Sequence, residues 1–299
     1  MANSHAAFGP TVYLGLGSTY HDPAVALVDG TGRVLFAEAL ERPLQYKRGI
    51  NMEPDNPFTL PKLLLEYAGD ADRIVVASNW KARRPWYENL AHRMGWLTPR
   101  GILQYRGREL AACLPTWEIN YMQSLQHQAL KRAGLTLSRT LRHHFGGVAI
   151  EFRHFDHHLT HAAFAAYGSP FEDAACAVID SYGESGSLAF FEYEKGRITP
   201  LYQSKGPQSL GFFYMKLTEL CGFDWMAGEE WKVMGLASYG KTNPELLARF
   251  RRLIRVEGFN LHHDRRTFFS ELRALERFRR PIDAPPETVA DLAHTGQQF

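Results

Sequence analysis

His157 and His161 stand four residues apart in the run Phe155-Asp156-His157-His158-Leu159-Thr160-His161-Ala162-Ala163, which enters an alanine-rich stretch that reads as a helix to about Tyr167. On a helix this spacing puts two imidazoles on one face a turn apart, close enough to share a cation. Nineteen residues beyond His161, Asp180 ends the apolar run Ala175 to Ile179. A strand there would carry the carboxylate out of its C-terminal end, into a cleft between two lobes. Two imidazoles and a carboxylate suit iron, zinc or manganese and leave positions open for substrate. The zincin pattern needs glutamate where His158 stands, so metal-assisted peptide hydrolysis lacks its general base. On spacing alone the histidines could equally cap the helix or sit half-exposed, and His158 could pair with His161 in place of His157.

The elements that would position these groups fall into two similar sets. Val12 to Gly17, Ala24 to Val28 and Arg33 to Ala37 read as three strands with glycine-bearing turns, Asp29-Gly30-Thr31-Gly32 supplying a tight hairpin. A helical pattern over Thr59 to Ala68 and a buried strand over Arg73 to Ala77 come next. Residues 80–116, rich in Arg, Trp and Pro, read as a variable insertion or lid, and Ile119 to Ala133 as a helix. A second triple strand covers Ala175 to Ile179, Ser187 to Tyr193 and Arg197 to Tyr202, with helical stripes after it from Leu210, from Glu245 and from Thr288.

The expected fold is therefore α/β, with duplicated lobes in the outline of the actin, sugar-kinase and Hsp70 superfamily. The first lobe is expected over residues 11–168, and the second over 172–299 as an incomplete, truncated lobe with part of its sheet edge uncovered.

Composition narrows the classes. The chain of 299 residues is 45% hydrophobic and 22% charged, enough for one large or two moderate cores. A formal net charge of +2 gives no global pull toward nucleic acid or an anionic membrane. The arginines at 249, 251, 252, 255, 273, 277, 279 and 280 alternate with apolar residues and read as polar faces of amphipathic helices, not an RNA surface. Three cysteines at long spacings make a disulfide framework improbable, and no signal sequence or membrane span is evident, so a cytoplasmic location is expected.

Asp156-His157-His158-x-x-His161-Ala162, Asp180 with Gly183-Glu184, and Glu230-Trp231-Lys232-Val233-Met234-Gly235-Leu236-Ala237-Ser238-Tyr239-Gly240 together resemble the NodU/CmcH carbamoyltransferases, which act on nodulation factors and on antibiotics such as tobramycin. The opening Gly15-x-Gly17-x3-His21-Asp22 is similar to the same family's first loop. The resemblance implies an actin-like domain that passes a carbamoyl group to the hydroxyl of a small molecule. In such enzymes carbamoyl-adenylate is made from carbamoyl phosphate and ATP by a separate domain, expected as a partner and absent from this chain.

Carried over, His157, His161 and Asp180 match the metal ligands, iron before zinc or manganese. His21 and Asp22 match a pair near the reacting centre, His21 being able to accept the proton of the attacking hydroxyl. Gly15, Gly17 and Ser18 could bring backbone amides to an anion, though turn geometry alone would also explain the glycines. Lys232, beside Gly235, and Arg42 and Lys47 are candidate phosphate or adenylate contacts. Glu184 is a candidate for orienting a ligand. Two other readings stay open: a non-catalytic metal- and phosphate-binding fragment or half of a split enzyme, and a relative of the tRNA threonylcarbamoyl transferases. The doubled histidine and the Met-Gly-Leu-Ala-Ser-Tyr-Gly run favour carbamoyl transfer to a small molecule over the tRNA reading.

Overall fold

A computed structural model describes residues 10–81 and 135–299, apart from residues 20, 51, 57, 185, 205–207 and 263. The expected insertion at 80–116, from residue 82 onward, and the helix expected over 119–133 lie outside the described residues. The described residues form two compact units, one of residues 10–81 and 135–157 and one of residues 158–299.

The first unit is built on a five-stranded sheet. Strands β1 (Thr11–Gly17), β2 (Ala24–Asp29) and β3 (Val34–Ala39) form an antiparallel meander. Strand β4 (Arg73–Ser78) pairs parallel to β1 on its other side, and β5 (Ala149–His154) pairs parallel to β4, giving the order β3-β2-β1-β4-β5. In the central strand β1 the period-2 alternation puts Val12, Leu14 and Leu16, all buried, on one face and Tyr13, Gly15 and Gly17 on the other. Leu14 lies opposite Leu27 on β2 and Val76 on β4.

The short helix α1 (Glu41–Leu44) comes after β3. Helices α2 (Leu60–Ala68) and α3 (Leu135–His144) contribute Leu60, Leu64, Leu137 and Leu141 to the same core. Each of these leucines is at most 1% exposed, a burial worth about 2 kcal/mol per side chain.

The β2–β3 hairpin has the turn chemistry expected from its residues. Asp29 Oδ1 accepts from the Thr31 and Arg33 amides at 2.8 and 3.1 Å, and Gly32 takes φ of 90°. Helix α3 and strand β5 are additions to the expected elements. Among the described residues β5 is an edge strand, and it carries charge in place of an apolar run: Glu151 pairs with Arg73 and with Arg153, charges of the kind that discourage edge-to-edge association.

The second unit begins with α4 (His157–Gly168), whose first residue is the last of the first unit. From His158 onward this helix is grouped with the second unit. It belongs with the second unit because Leu159 and Ala162 pack on Cys176, Val178, Ala189, Phe191 and Ile198 of the sheet β6 (Asp173–Ile179), β7 (Leu188–Glu194) and β8 (Arg197–Gln203). That sheet is an antiparallel meander in the order β6-β7-β8, repeating β1-β2-β3. Among the described residues β6 is an edge strand, and Ile179 is 60% exposed.

A helical layer completes the unit. Helices α5 (Leu210–Leu220), α6 (Glu230–Ala237), α7 (Pro244–Leu253), α8 (Arg265–Leu275) and α9 (Ala290–Gln298) enclose Leu217, Val233, Leu246, Phe250, Leu275 and Ala293, with the short hairpin β9 (Arg255–Glu257) and β10 (Asn260–His262) alongside. Ser209, Asn243 and Asp264 cap α5, α7 and α8 by accepting from the second or third helical amide. Several arginines of this layer face carboxylates. Arg249 and Arg252 hold the buried Glu271 at 2.9 and 3.1 Å, and Arg279 pairs with Glu219 and Glu276. No helix among the described residues is long and apolar enough to cross a membrane.

Candidate metal centre

Helix α4 presents His157 and His161, and the end of β6 presents Asp180; one ligand atom from each lies within 4.8 Å of the others. His161 Nε2 is 3.7 Å from Asp180 Oδ2. Two donors about 2.1 Å from a shared tetrahedral ion stand about 3.4 Å apart, so small side-chain rotations suffice to bring the set onto one cation. His157 is buried and the side chain of His161 is 52% exposed, so the set is closed at one end and open at the other. An open groove of about 480 Å³ runs from His161 and Asp180 along α4 and the edge of β6.

His157 and Asp180 are each held by a neighbour. The indole of Trp80 stacks on the His157 ring, centroids 4.5 Å apart and planes 16° from parallel. Trp80 reaches it because β4 and β5 run parallel: Ser78 pairs with His154 and accepts from the Phe155 amide at 2.9 Å, so the residues after both strands emerge side by side. Lys81 and Asp156 meet there at 3.3 Å. Asp180 is fixed by its own turn, its Oδ1 accepting from the Ser181 amide at 2.6 Å. That leaves Oδ2 as the oxygen turned toward the histidines His158 and His161. Glu184 lies half-buried in the same turn.

The first-loop residues form a second group within the first unit. His21 Nδ1 lies 2.6 Å from Asp22 Oδ2, and Arg48 Nε is 3.5 Å from that oxygen. Asp22 takes a left-handed φ of 52°, which aspartate tolerates better than most residues, and its amide donates to the Arg48 carbonyl at 2.6 Å. Burial alone would raise the Asp22 carboxyl, but the His21 hydrogen bond, its charge and the Arg48 guanidinium together hold it below 3.8. A depressed carboxyl contributes stability that is present above the unfolded value and is lost as pH falls through the folded one. Asp22→Asn, which keeps the backbone preference, is accordingly expected to lower the urea midpoint at pH 7. The gap from the parent should close as pH falls below about 3.8; a constant gap across that range would show that the carboxylate charge contributes nothing.

Gly15 and Gly17 are strand residues, with Gly15 in register with both Ala26 and Ala77 and Gly17 with Ala24, and the Ser18 amide donates to Asn79 Oδ1 at 2.8 Å. The Ser18 amide is thus engaged by the end of β4, a partner 61 residues away in sequence. Arg42 is exposed beside Glu41, and Lys47 lies in a one-turn helix at Lys47–Gly49. Lys232 pairs with Glu229 and sits 5.7 Å from the Phe223 ring centre. Gly235 has open space where a Cβ would lie, so packing does not demand glycine there. Gly240, at the end of the same motif, is demanded by packing: a Cβ would meet the Ala290 carbonyl oxygen at 2.1 Å.

A meander continued by parallel strands and helices, with a second meander and its own helices after it, is the actin, sugar-kinase and Hsp70-like α/β architecture. The chain belongs to the family described as carbamoyltransferase N-terminus, whose model matches residues 13–286. It is 30% identical over 237 residues to the uncharacterized protein sll1178 of Synechocystis sp., covering 77% of this chain and 35% of that protein. It is 32% identical over 111 residues to the nodulation protein NolNO of Sinorhizobium fredii, covering 36% of this chain and 16% of that one. The chain thus spans about a third or less of the length of these relatives. Among solved structures, a ROK family protein from Streptococcus pneumoniae TIGR4 in complex with sucrose aligns with a TM-score of 0.35 at 13% identity, over 78% of this chain and 68% of that one.

Proposed function

We propose that this chain carries the carbamoyl-transfer centre of an O-carbamoyltransferase, with His157, His161 and Asp180 holding a divalent metal. The observation that carries the reading is the convergence of those three ligand atoms within 4.8 Å, in a chain of the carbamoyltransferase family. The donor set suits iron first, with zinc and manganese as alternatives. A bound ion would supply Lewis-acid stabilisation of charge on a phosphate or carbamoyl oxygen.

The chain's own residues carry the proton chemistry. With Nδ1 of His21 directed to Asp22, Nε2 is the nitrogen that takes the proton from the hydroxyl of a small-molecule acceptor. The hydroxyl oxygen forms a bond to the carbamoyl carbon of carbamoyl-adenylate, and the bond from that carbon to the phosphate oxygen breaks, releasing AMP. Asp22 steadies the imidazolium that results, aided by its own low pKa, which keeps it anionic. Carbamoyl phosphate and ATP are the source of the carbamoyl-adenylate, through an adenylate-forming partner domain.

The test is a transfer assay on this chain, with metal content measured in parallel. Metal-dependent transfer from added carbamoyl-adenylate to a hydroxyl acceptor is expected, with none from carbamoyl phosphate and ATP alone. Stoichiometric metal without transfer from the adenylate, in this chain and also in the chain joined to its adenylate-forming partner, would favour the binding-fragment reading instead.

A further inference from the structure

His158 stands between the two histidines of the centre in sequence, and its ring reaches the turn that carries Asp180. The residue is fully buried. A Cβ added to Gly183 would lie 2.6 Å from His158 Nε2, 2.8 Å from Cε1 and 3.0 Å from Cδ2, so the edge of the ring fills the volume that any other residue at 183 would need. The same Nε2 is 3.8 Å from Asp180 Oδ2, the oxygen that faces His161 at 3.7 Å. At 3.8 Å this is a contact and not a hydrogen bond.

The turn around the ring has little freedom to give way. The Asp180 amide donates to the Ser187 carbonyl at 2.8 Å and the Gly183 amide to the Gly186 carbonyl at 2.7 Å. From the other side α5 presses on Ser181, where a Cβ on Gly211 would come within 2.6 Å of the Ser181 Cα. Ser209 Oγ donates to the Asp180 carbonyl at 3.3 Å. The ring is therefore a wedge between α4 and a turn pinned at both ends, and the carboxylate stands where the wedge puts it. Close-packed interiors transmit such a shape change instead of absorbing it.

We propose that His158 is a positioning residue of the metal centre: its buried ring, seated on Gly183, sets the place of the Asp180 carboxylate relative to His161, and Gly183 is glycine to admit that ring. The inference rests on the proposed metal site. It makes the Gly183 of the Asp180–Glu184 motif a steric partner of His158.

The experiment is a double-mutant cycle of His158→Ala and Gly183→Ala in the full chain, reading Co²⁺ affinity and the visible absorption of bound Co²⁺, with thermal unfolding of the metal-free proteins alongside. Each single substitution is expected to weaken Co²⁺ about 10- to 100-fold, the usual effect of losing a group that orients a ligand, and to alter the Co²⁺ absorption. The double variant is expected to be no weaker than His158→Ala alone, because the new methyl enters the space the ring leaves. Should Gly183→Ala alone fail to fold, recovery of the fold in the double variant is the expected result.

Co²⁺ binding by both single variants within twofold of the parent, or losses that simply multiply in the double variant, would overturn the positioning role while leaving the metal reading intact. A parent chain that binds no Co²⁺, Fe²⁺, Zn²⁺ or Mn²⁺ would remove the metal reading, and this inference with it.

Discussion

Alanine in place of His157 or His161 is expected to strip the purified chain of metal, with affinity falling by more than about 100-fold. That is beyond the roughly 10- to 100-fold typical when only an orienting neighbour is removed. The expectation comes from the small size of the donor set: two imidazoles on successive turns of α4 and one carboxylate at the end of β6. Removing one imidazole leaves two donors, too few to outcompete water. Asp180→Asn keeps the shape and one oxygen but loses the charge, so a smaller loss is expected there. His157 is also the ring on which Trp80 stacks, so its alanine variant should lose some stability as well, whereas the half-exposed His161 should not. Metal stoichiometry after dialysis against a defined Fe²⁺, Zn²⁺ or Mn²⁺ buffer decides the matter. Unchanged stoichiometry in all three variants would falsify the site.

His21→Ala, made in a protein that contains the adenylate-forming part, is expected to cut carbamoyl transfer by about 10²- to 10⁴-fold, the span of a lost general base. Metal content should be unaffected, because His21 is not among the three clustered donors of the proposed site. The separation of the two readouts is what gives the prediction force. A variant that lost both activity and metal would point to a damaged fold, and one that kept near-parental transfer would exclude His21 as the base. Asp22 makes a useful companion: its carboxylate holds Nδ1 at 2.6 Å, so Asp22→Asn should lower transfer with metal again retained.

The features legible in the sequence are those whose geometry is local. His157 and His161 are a helical turn apart on any helix and Asp180 stands after an apolar run that ends in a turn, so spacing makes the three candidates, the family resemblance groups them, and in the fold one ligand atom from each lies within 4.8 Å of the others. His21 and Asp22 are adjacent, and their contact is equally local. The two meanders are visible because alternation and glycine turns repeat in the same order, and they fold as β1-β2-β3 and β6-β7-β8. β5 escapes because an edge strand needs few apolar residues: Ala149 to His154 includes Glu151, Arg153 and His154 among its six.

Local pattern therefore determined the two imidazoles, the strand-end carboxylate, the His21–Asp22 pair and the duplicated α/β outline. Tertiary structure alone decided their surroundings. Parallel pairing of β4 with β1 brings Asn79 to the Ser18 amide and so engages a group that residue type offers to an anion. Parallel pairing of β4 with β5 sets Trp80 on His157, and the packing of α4 on β6 drives His158 against Gly183. Each of these contacts joins residues 25 or more positions apart, and nothing in residue type or spacing specifies such a partner. It is fixed only when sheet order and close packing leave one place for the side chain to go.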